Sequence, residues 1–161
     1  MSRRWSVLAL ALALAAGCAS SPDEAPERIE VASLDEASYR ALVHPVIERA
    51  CGSSDCHGNE PRGLRVYGAT ALRLPGAAGP TSPDEVRATY VSIVGLEPEK
   101  LDAFVARSPR SADEAYRLLV LAKPLAIERH RGGISLRKGE PAEQCILSWL
   151  LGRADAAQCT R

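Results

Sequence analysis

Large aromatic side chains are scarce in this sequence, and their scarcity constrains the core that the chain can build. The 161 residues include one Phe, two Trp and four Tyr, only 4% of the total. Aromatic side chains supply much of the buried area of an ordinary core. Because 46% of the residues are nevertheless hydrophobic, the chain can form a core, but something other than side chains could fill part of it.

Length and charge indicate a single globular domain. A chain of 161 residues allows one modest domain and argues against a two-domain enzyme. Charged residues make up 25%, an ordinary value that argues against a disordered or polytopic membrane chain. The 20 basic residues are matched by 20 acidic ones, so we expect no nucleic-acid partner.

The N-terminus has the pattern of an export signal. Two arginines in residues 1–4 precede an apolar run over 5–17, which is short for a bilayer span and typical of a signal-peptide core. The run ends in Leu-Ala-Ala-Gly-Cys, which resembles the bacterial lipoprotein box and implies lipidation of Cys18. The alternative is an ordinary secretory signal. Ala19, by the same resemblance, implies an outer-membrane destination.

These features predict three parts of the chain. Residues 1–17 are predicted to be a lipoprotein signal peptide, and residues 18–32 a flexible tether that begins with the lipidated Cys18 and contains two prolines. Residues 33–161 are predicted to form the domain. We therefore expect a protein held by its lipid on the periplasmic side of the outer membrane.

Helix start and stop signals predict an all-α fold of short helices and long irregular loops. Capping boxes of the form Ser-x-x-Glu begin at Ser33, Ser82 and Ser111. The predicted helices are 34–43, a short helix from Pro45, 83–94, 99–107, 112–123 and 141–151, with glycines ending the third and the last. No paired strands are predicted. Residues expected to face inward include Ala37, Ala41, Leu42 and Val91.

Cys51, Cys56 and His57 form a Cys-x4-Cys-His motif. Its commoner relative, Cys-x2-Cys-His, marks covalent attachment of c-type haem. The two thiols add to the two vinyl groups of the haem, and the histidine directly after the second cysteine is the proximal iron ligand. A four-residue loop rich in Gly, Ser and Asp can bulge and still reach both vinyl groups.

Further segments resemble one family of small cytochromes. They read His-Pro-Val-Ile-Glu-Arg-Ala-Cys at 44–51, Cys-His-Gly at 56–58, Gly-Leu-Arg-Val at 63–66, Lys-Pro at 123–124, His-Arg-Gly-Gly at 130–133 and Ser-Trp-Leu-Leu-Gly at 148–152. Together they resemble the planctomycete-type cytochrome c domain. The resemblance implies a small cytochrome c-like fold, one covalent haem c and redox partner proteins. The longer cysteine spacing and the extra C-terminal cysteines depart from that family.

The distal iron ligand is open to several interpretations. The usual partner is methionine, but the only methionine is Met1, inside the predicted signal peptide. His130 is our preferred distal ligand, because the two glycines that follow it let the backbone pass close to a flat ligand. The alternatives are an open or water-bound site, His44, and Lys123 as a remote third.

The remaining cysteines, Cys145 and Cys159, have no metal-binding pattern around them. A disulfide that ties the C-terminal tail to the last helix is the simplest interpretation in an exported protein. It would be structural and not catalytic.

The expected function is that of a membrane-anchored periplasmic monohaem c-type cytochrome that carries single electrons, more an electron carrier than a catalyst. One alternative is a haem-based sensor or peroxidase. Another is a haem-free binding or structural lipoprotein in which Cys51 and Cys56 form a disulfide. A third is a zinc site formed by Cys51, Cys56, His57 and His130.

Overall fold

A computed structural model describes residues 34–160 of the chain. The predicted signal peptide, the predicted lipidation site Cys18 and the predicted tether lie outside these residues. The helices are α1 (Glu36–Ser38), a π-helical turn (Tyr39–Val43), α2 (His44–Cys51), α3 (Pro83–Val94), α4 (Pro98–Val105), α5 (Ala112–Ala115), α6 (Leu119–Ala122), α7 (Pro141–Leu150) and α8 (Ala156–Cys159). The only β-contact in the described range is one isolated bridge, Tyr67 to Leu72. The prediction of an all-α fold is confirmed.

The first two predicted helices are one continuous helical stretch. Asp35 caps it by accepting a hydrogen bond from the Ser38 amide, and the predicted cap Ser33 lies outside the described residues. The chain then widens into the π-helical turn, where the His44 amide donates to the carbonyl of Tyr39, five residues back. Pro45 has no amide hydrogen to donate. The widened turn precedes it, and the helix continues through Pro45 to Cys51.

The inward face of this stretch differs from the predicted one. Ala37 and Ala41 are exposed, whereas Tyr39 and Val43 are fully buried. Tyr and Val side chains carry more apolar surface than Ala, so burying them gains more free energy. They therefore determine which face of the helix points inward. Val91 of α3, also predicted to be inward, is 52% exposed.

Three of the six aromatic residues in the described range pack together. The Tyr39 ring lies 5.4 Å from that of Tyr90 and 5.2 Å from that of Trp149. Two of these side chains also hold the start of the domain, because the Tyr90 hydroxyl donates to the carbonyl of Leu34 and the Trp149 indole donates to that of Asp35. This cluster forms one end of the core.

Helix α3 has the predicted bounds, but the predicted helix 112–123 is interrupted. The α3 capping box forms in full between Ser82 and Glu85. Between α5 and α6, in contrast, Leu118 is extended, and the amide of Leu119 donates to the carboxylate of Glu97 at 2.6 Å. The Glu97 side chain therefore caps the start of α6. This contact cannot be predicted from the sequence around α6.

The C-terminal part is fastened to α7. Cys145 and Cys159 are joined as a disulfide, with Cα atoms 4.8 Å apart, as the sequence analysis proposed. Gly152, with φ of +78°, turns the chain after α7. None of the helices within residues 34–160 is long and apolar enough to cross a membrane.

Candidate functional site

A cavity of about 340 Å³ lies beside the Cys-x4-Cys-His motif, within the range of small-molecule sites. The four residues proposed to hold the cofactor, Cys51, Cys56, His57 and His130, all line it. Much of the remaining wall is apolar, formed by Ile47, Leu64, Leu96, Leu119, Val120 and Pro124. The cavity therefore joins the motif residues to a largely apolar wall.

The motif loop is a compact turn after α2. The amides of Cys56 and Gly58 both donate to the carbonyl of Ser53, and the His57 amide donates to the carbonyl of Cys51 at 3.0 Å. The four intervening residues therefore bulge outward and return His57 to the end of the helix. This geometry agrees with the expectation that a four-residue spacing keeps both thiols at one site.

Both cysteines of the motif are free thiols and are half-buried. Burial, with a smaller contribution from the neighbouring Cys56 sulfur, raises the pKa of Cys51 to about 12. The Cys51 thiol is therefore protonated at neutral pH. The disulfide between these two cysteines, which the haem-free alternative requires, is not formed in this structure.

His57 is held by the backbone. Its Nδ1 lies 3.0 Å from the carbonyl oxygen of Leu64. Since a carbonyl can only accept, Nδ1 carries the hydrogen and Nε2 has the free lone pair. Burial lowers the pKa of His57, and the nearby His130 and Arg62 lower it further, against the opposing effect of the Leu64 carbonyl.

A backbone carbonyl also holds His130, which comes from a loop far along the chain from His57. Its Nδ1 lies 2.8 Å from the carbonyl oxygen of Gly133, and Gly133 has φ of +72°. A side chain at Gly132 would press on the His130 ring, with its Cβ only 3.1 Å from Cε1. The two glycines thus position His130 itself, a more direct role than the one predicted for them.

The two imidazole rings face the cavity as a pair. Their centroids are 6.0 Å apart and their planes differ by only 6°. Each has a carbonyl partner at Nδ1, which is the arrangement that holds metal-ligating histidines in place through their second nitrogen. Two thiols and two such imidazoles therefore line one cavity.

The other candidate iron ligands lie elsewhere or are otherwise engaged. His44 is buried in the core, with its Nδ1 3.1 Å from the Tyr39 hydroxyl, and it does not line the cavity. Lys123 lines the cavity, but its ammonium donates to the carbonyl of Arg129 and pairs with Glu128. Of the histidine and lysine candidates, His130 alone offers an imidazole to the cavity opposite His57.

The zinc alternative requires a different arrangement. Residues 34–160 contain no group of three or more His, Cys, Asp or Glu side chains close enough together to hold a metal ion. Cys51, Cys56, His57 and His130 therefore do not form a four-ligand zinc site. Haem iron needs only one or two protein ligands, because the porphyrin supplies the others.

A group of basic residues lies at the cavity, and of these only Lys123 had been considered for the site. Its members are Arg62, Lys123, Arg129 and Arg131. The only signal in the sequence is the run Arg-His-Arg at 129–131, which is equally typical of a solvated loop.

Comparisons of the chain with protein-family models, with curated proteins and with solved structures find no match.

Proposed function

We propose that this protein is a monohaem c-type cytochrome that carries single electrons, with haem c bound to Cys51 and Cys56 and its iron ligated by His57 and His130. The proposal includes a lipid anchor at Cys18 on the periplasmic side of the bacterial outer membrane. Haem iron supplies the one-electron chemistry, and the protein supplies the ligands, the apolar cavity and the partner-facing surface.

The observation that carries the proposal is the pair of parallel imidazoles. A metal–imidazole bond is about 2 Å long, so two such bonds account for roughly 4 Å of the 6.0 Å between the ring centroids. The rings themselves account for the rest. The centroid spacing of His57 and His130 therefore suits a single iron ion. Because the rings are stacked in this structure, ligation requires both Nε2 atoms to turn toward that ion.

The positions of the thiols support the same cofactor. Cys51 ends α2, and Cys56 directly precedes His57 in the turn that returns to that helix. Thioether formation consumes each S–H by addition across a vinyl C=C bond, so no external oxidant is required. Because both thiols are reduced and line the cavity, they are available for this addition.

The two iron ligands affect the reduction potential of the haem. A methionine ligand raises the potential of a c-type haem, and the described residues contain no methionine. We expect a bis-histidine iron at a lower potential than that of a His/Met cytochrome. Small-molecule sensing or peroxidase chemistry would require His130 to leave the iron.

Expression of the chain with a cytochrome c maturation system tests the proposal. We expect a Soret band and haem staining that survive denaturing gel electrophoresis. The Cys51→Ala/Cys56→Ala variant should lose the covalent stain, whereas the matched Cys145→Ala/Cys159→Ala variant should keep it. Colourless protein of the mass of the lipidated polypeptide alone would overturn the proposal.

A further inference from the structure

The cavity carries more positive charge than its own carboxylates balance. Four basic residues and one acidic residue line it: Arg62, Lys123, Arg129, Arg131 and Asp55. Lys123 is paired with Glu128 at 3.3 Å. A basic excess therefore remains at this site, although the whole chain is neutral.

The excess is concentrated on the two arginines beside His130. Arg129 and Arg131 are exposed at the edge of the cavity. Neither side chain makes an ion pair or a hydrogen bond with any residue in the range 34–160. Arg62 donates only to the backbone carbonyl of Asp55, at 3.3 Å. The guanidinium groups are thus available to a ligand.

The chemistry of these groups specifies what the ligand must carry. Guanidinium is planar and presents paired N–H donors that match a carboxylate. Two guanidiniums, from the residues before and after His130 in sequence, provide for two carboxylates at the edge of a cavity whose walls are largely apolar. The fitting ligand is a flat apolar molecule with two carboxylates along one edge.

We propose that Arg129 and Arg131 bind the two propionate carboxylates of the tetrapyrrole, with Arg62 as a further cation beside them. This inference rests on the proposed function. It gives the loop that supplies His130 a second role, because the same few residues then hold the iron and the acidic edge of the cofactor. The thiols hold the cofactor covalently, and the arginines fix which edge faces the loop.

Resonance Raman spectra of the haem-loaded protein test this assignment, because propionate bending modes shift when their hydrogen-bond partners are removed. The variants are Arg129→Ala, Arg131→Ala and the double variant, with Arg153→Ala as the matched control. Arg153 is exposed and lies outside the cavity lining. We expect shifted propionate modes in the first three proteins and an unchanged spectrum in the control.

The reduction potential provides a second readout. With the arginines present the propionates stay ionised, so the potential should vary little between pH 5 and 8. Without them the carboxylates lose their cationic partners and their pKa values rise. We expect the double variant to gain a pH-dependent potential, and the Arg129→Lys/Arg131→Lys variant, which keeps the charge, to gain less.

The failure of this inference is distinct from the failure of the proposed function. Unchanged propionate modes together with an unchanged pH dependence in the red double variant would overturn the carboxylate assignment and leave the cytochrome proposal standing. A wild-type protein without haem would overturn both. If the double variant does not fold, the two single variants and the lysine variant decide the matter.

Discussion

A Cβ atom on Gly58 would lie only 2.1 Å from the carbonyl oxygen of Gly52, so the backbone leaves no space for a side chain there. This close approach of the two glycines closes the turn that returns His57 to the end of α2. Gly58→Ala forces the turn apart, and we expect it to destabilise the domain by about 1–3 kcal/mol, the usual cost of overpacking. Urea unfolding measures the loss, and the yield of covalent haem should fall with it.

Gly63 provides the control for this substitution. It follows the motif by a few residues, and nothing lies within 4 Å of where its side chain would be. Gly63→Ala should therefore leave stability and haem yield close to the wild-type values. Equal effects of the two substitutions would show that the Gly58 contact does not hold the motif.

His130→Ala should turn a low-spin iron into a high-spin one. The variant removes the only imidazole that shares the cavity with His57, so water or no ligand remains on that side of the iron. Absorption and electron paramagnetic resonance spectra report the change. His44→Gln, which alters a core histidine outside the cavity, should stay low-spin; a high-spin His44 variant with an unaffected His130 variant would reverse the ligand assignment.

Elements whose signals are local were predictable from the sequence. Helix α3 has a capping box and a proline at its start and a glycine directly after its end, and its bounds agree with the prediction. The motif itself places Cys51, Cys56 and His57 within seven residues, so their presence in one cavity was predictable. His130 was preferred among several alternatives because two glycines follow it, and the structure brings it to the same cavity; haem binding by these residues stays a prediction.

Features that depend on distant contacts were not predictable. The break after α5 is stabilised by Glu97, which lies outside the predicted helix 112–123. The inward face of the first helix depends on Tyr39 packing against Tyr90 and Trp149, residues far along the chain. The arginines beside His130 have a meaning only once the cavity is known, because their charge alone is typical of any exposed loop.

Reduction of the disulfide should destabilise the domain without removing the cofactor. Cys145 and Cys159 are 14 positions apart in sequence, and closing a loop of about that size stabilises by roughly 3 kcal/mol in the chain-entropy model. We therefore expect the Cys145→Ala/Cys159→Ala variant to melt at a lower temperature with an unchanged Soret band. Adding a reductant to this variant should cause no further loss, whereas the wild type should lose stability on reduction.

His44 should make the stability of the domain depend on pH. The side chain is only 3% exposed, and burial lowers its pKa, against the opposing effects of Glu48, 3.5 Å from Nε2, and of Glu85. In the unfolded chain the same imidazole has its ordinary pKa near 6.5. As the pH falls below that value, the unfolded state binds a proton that the folded state does not, so the stability decreases.

The slope of unfolding free energy against pH distinguishes the contribution of His44 from those of other titrating groups. A single proton gives at most about 1.4 kcal/mol per pH unit, and we expect part of this slope between pH 6.5 and 5 in the haem-loaded protein. His44→Gln should flatten it, whatever the variant does to the absolute stability. Urea unfolding of both proteins at several pH values provides the comparison. Parallel curves for wild type and variant would assign the slope to another group, and a wild-type stability that increases toward pH 5 would show that His44 is protonated in the fold.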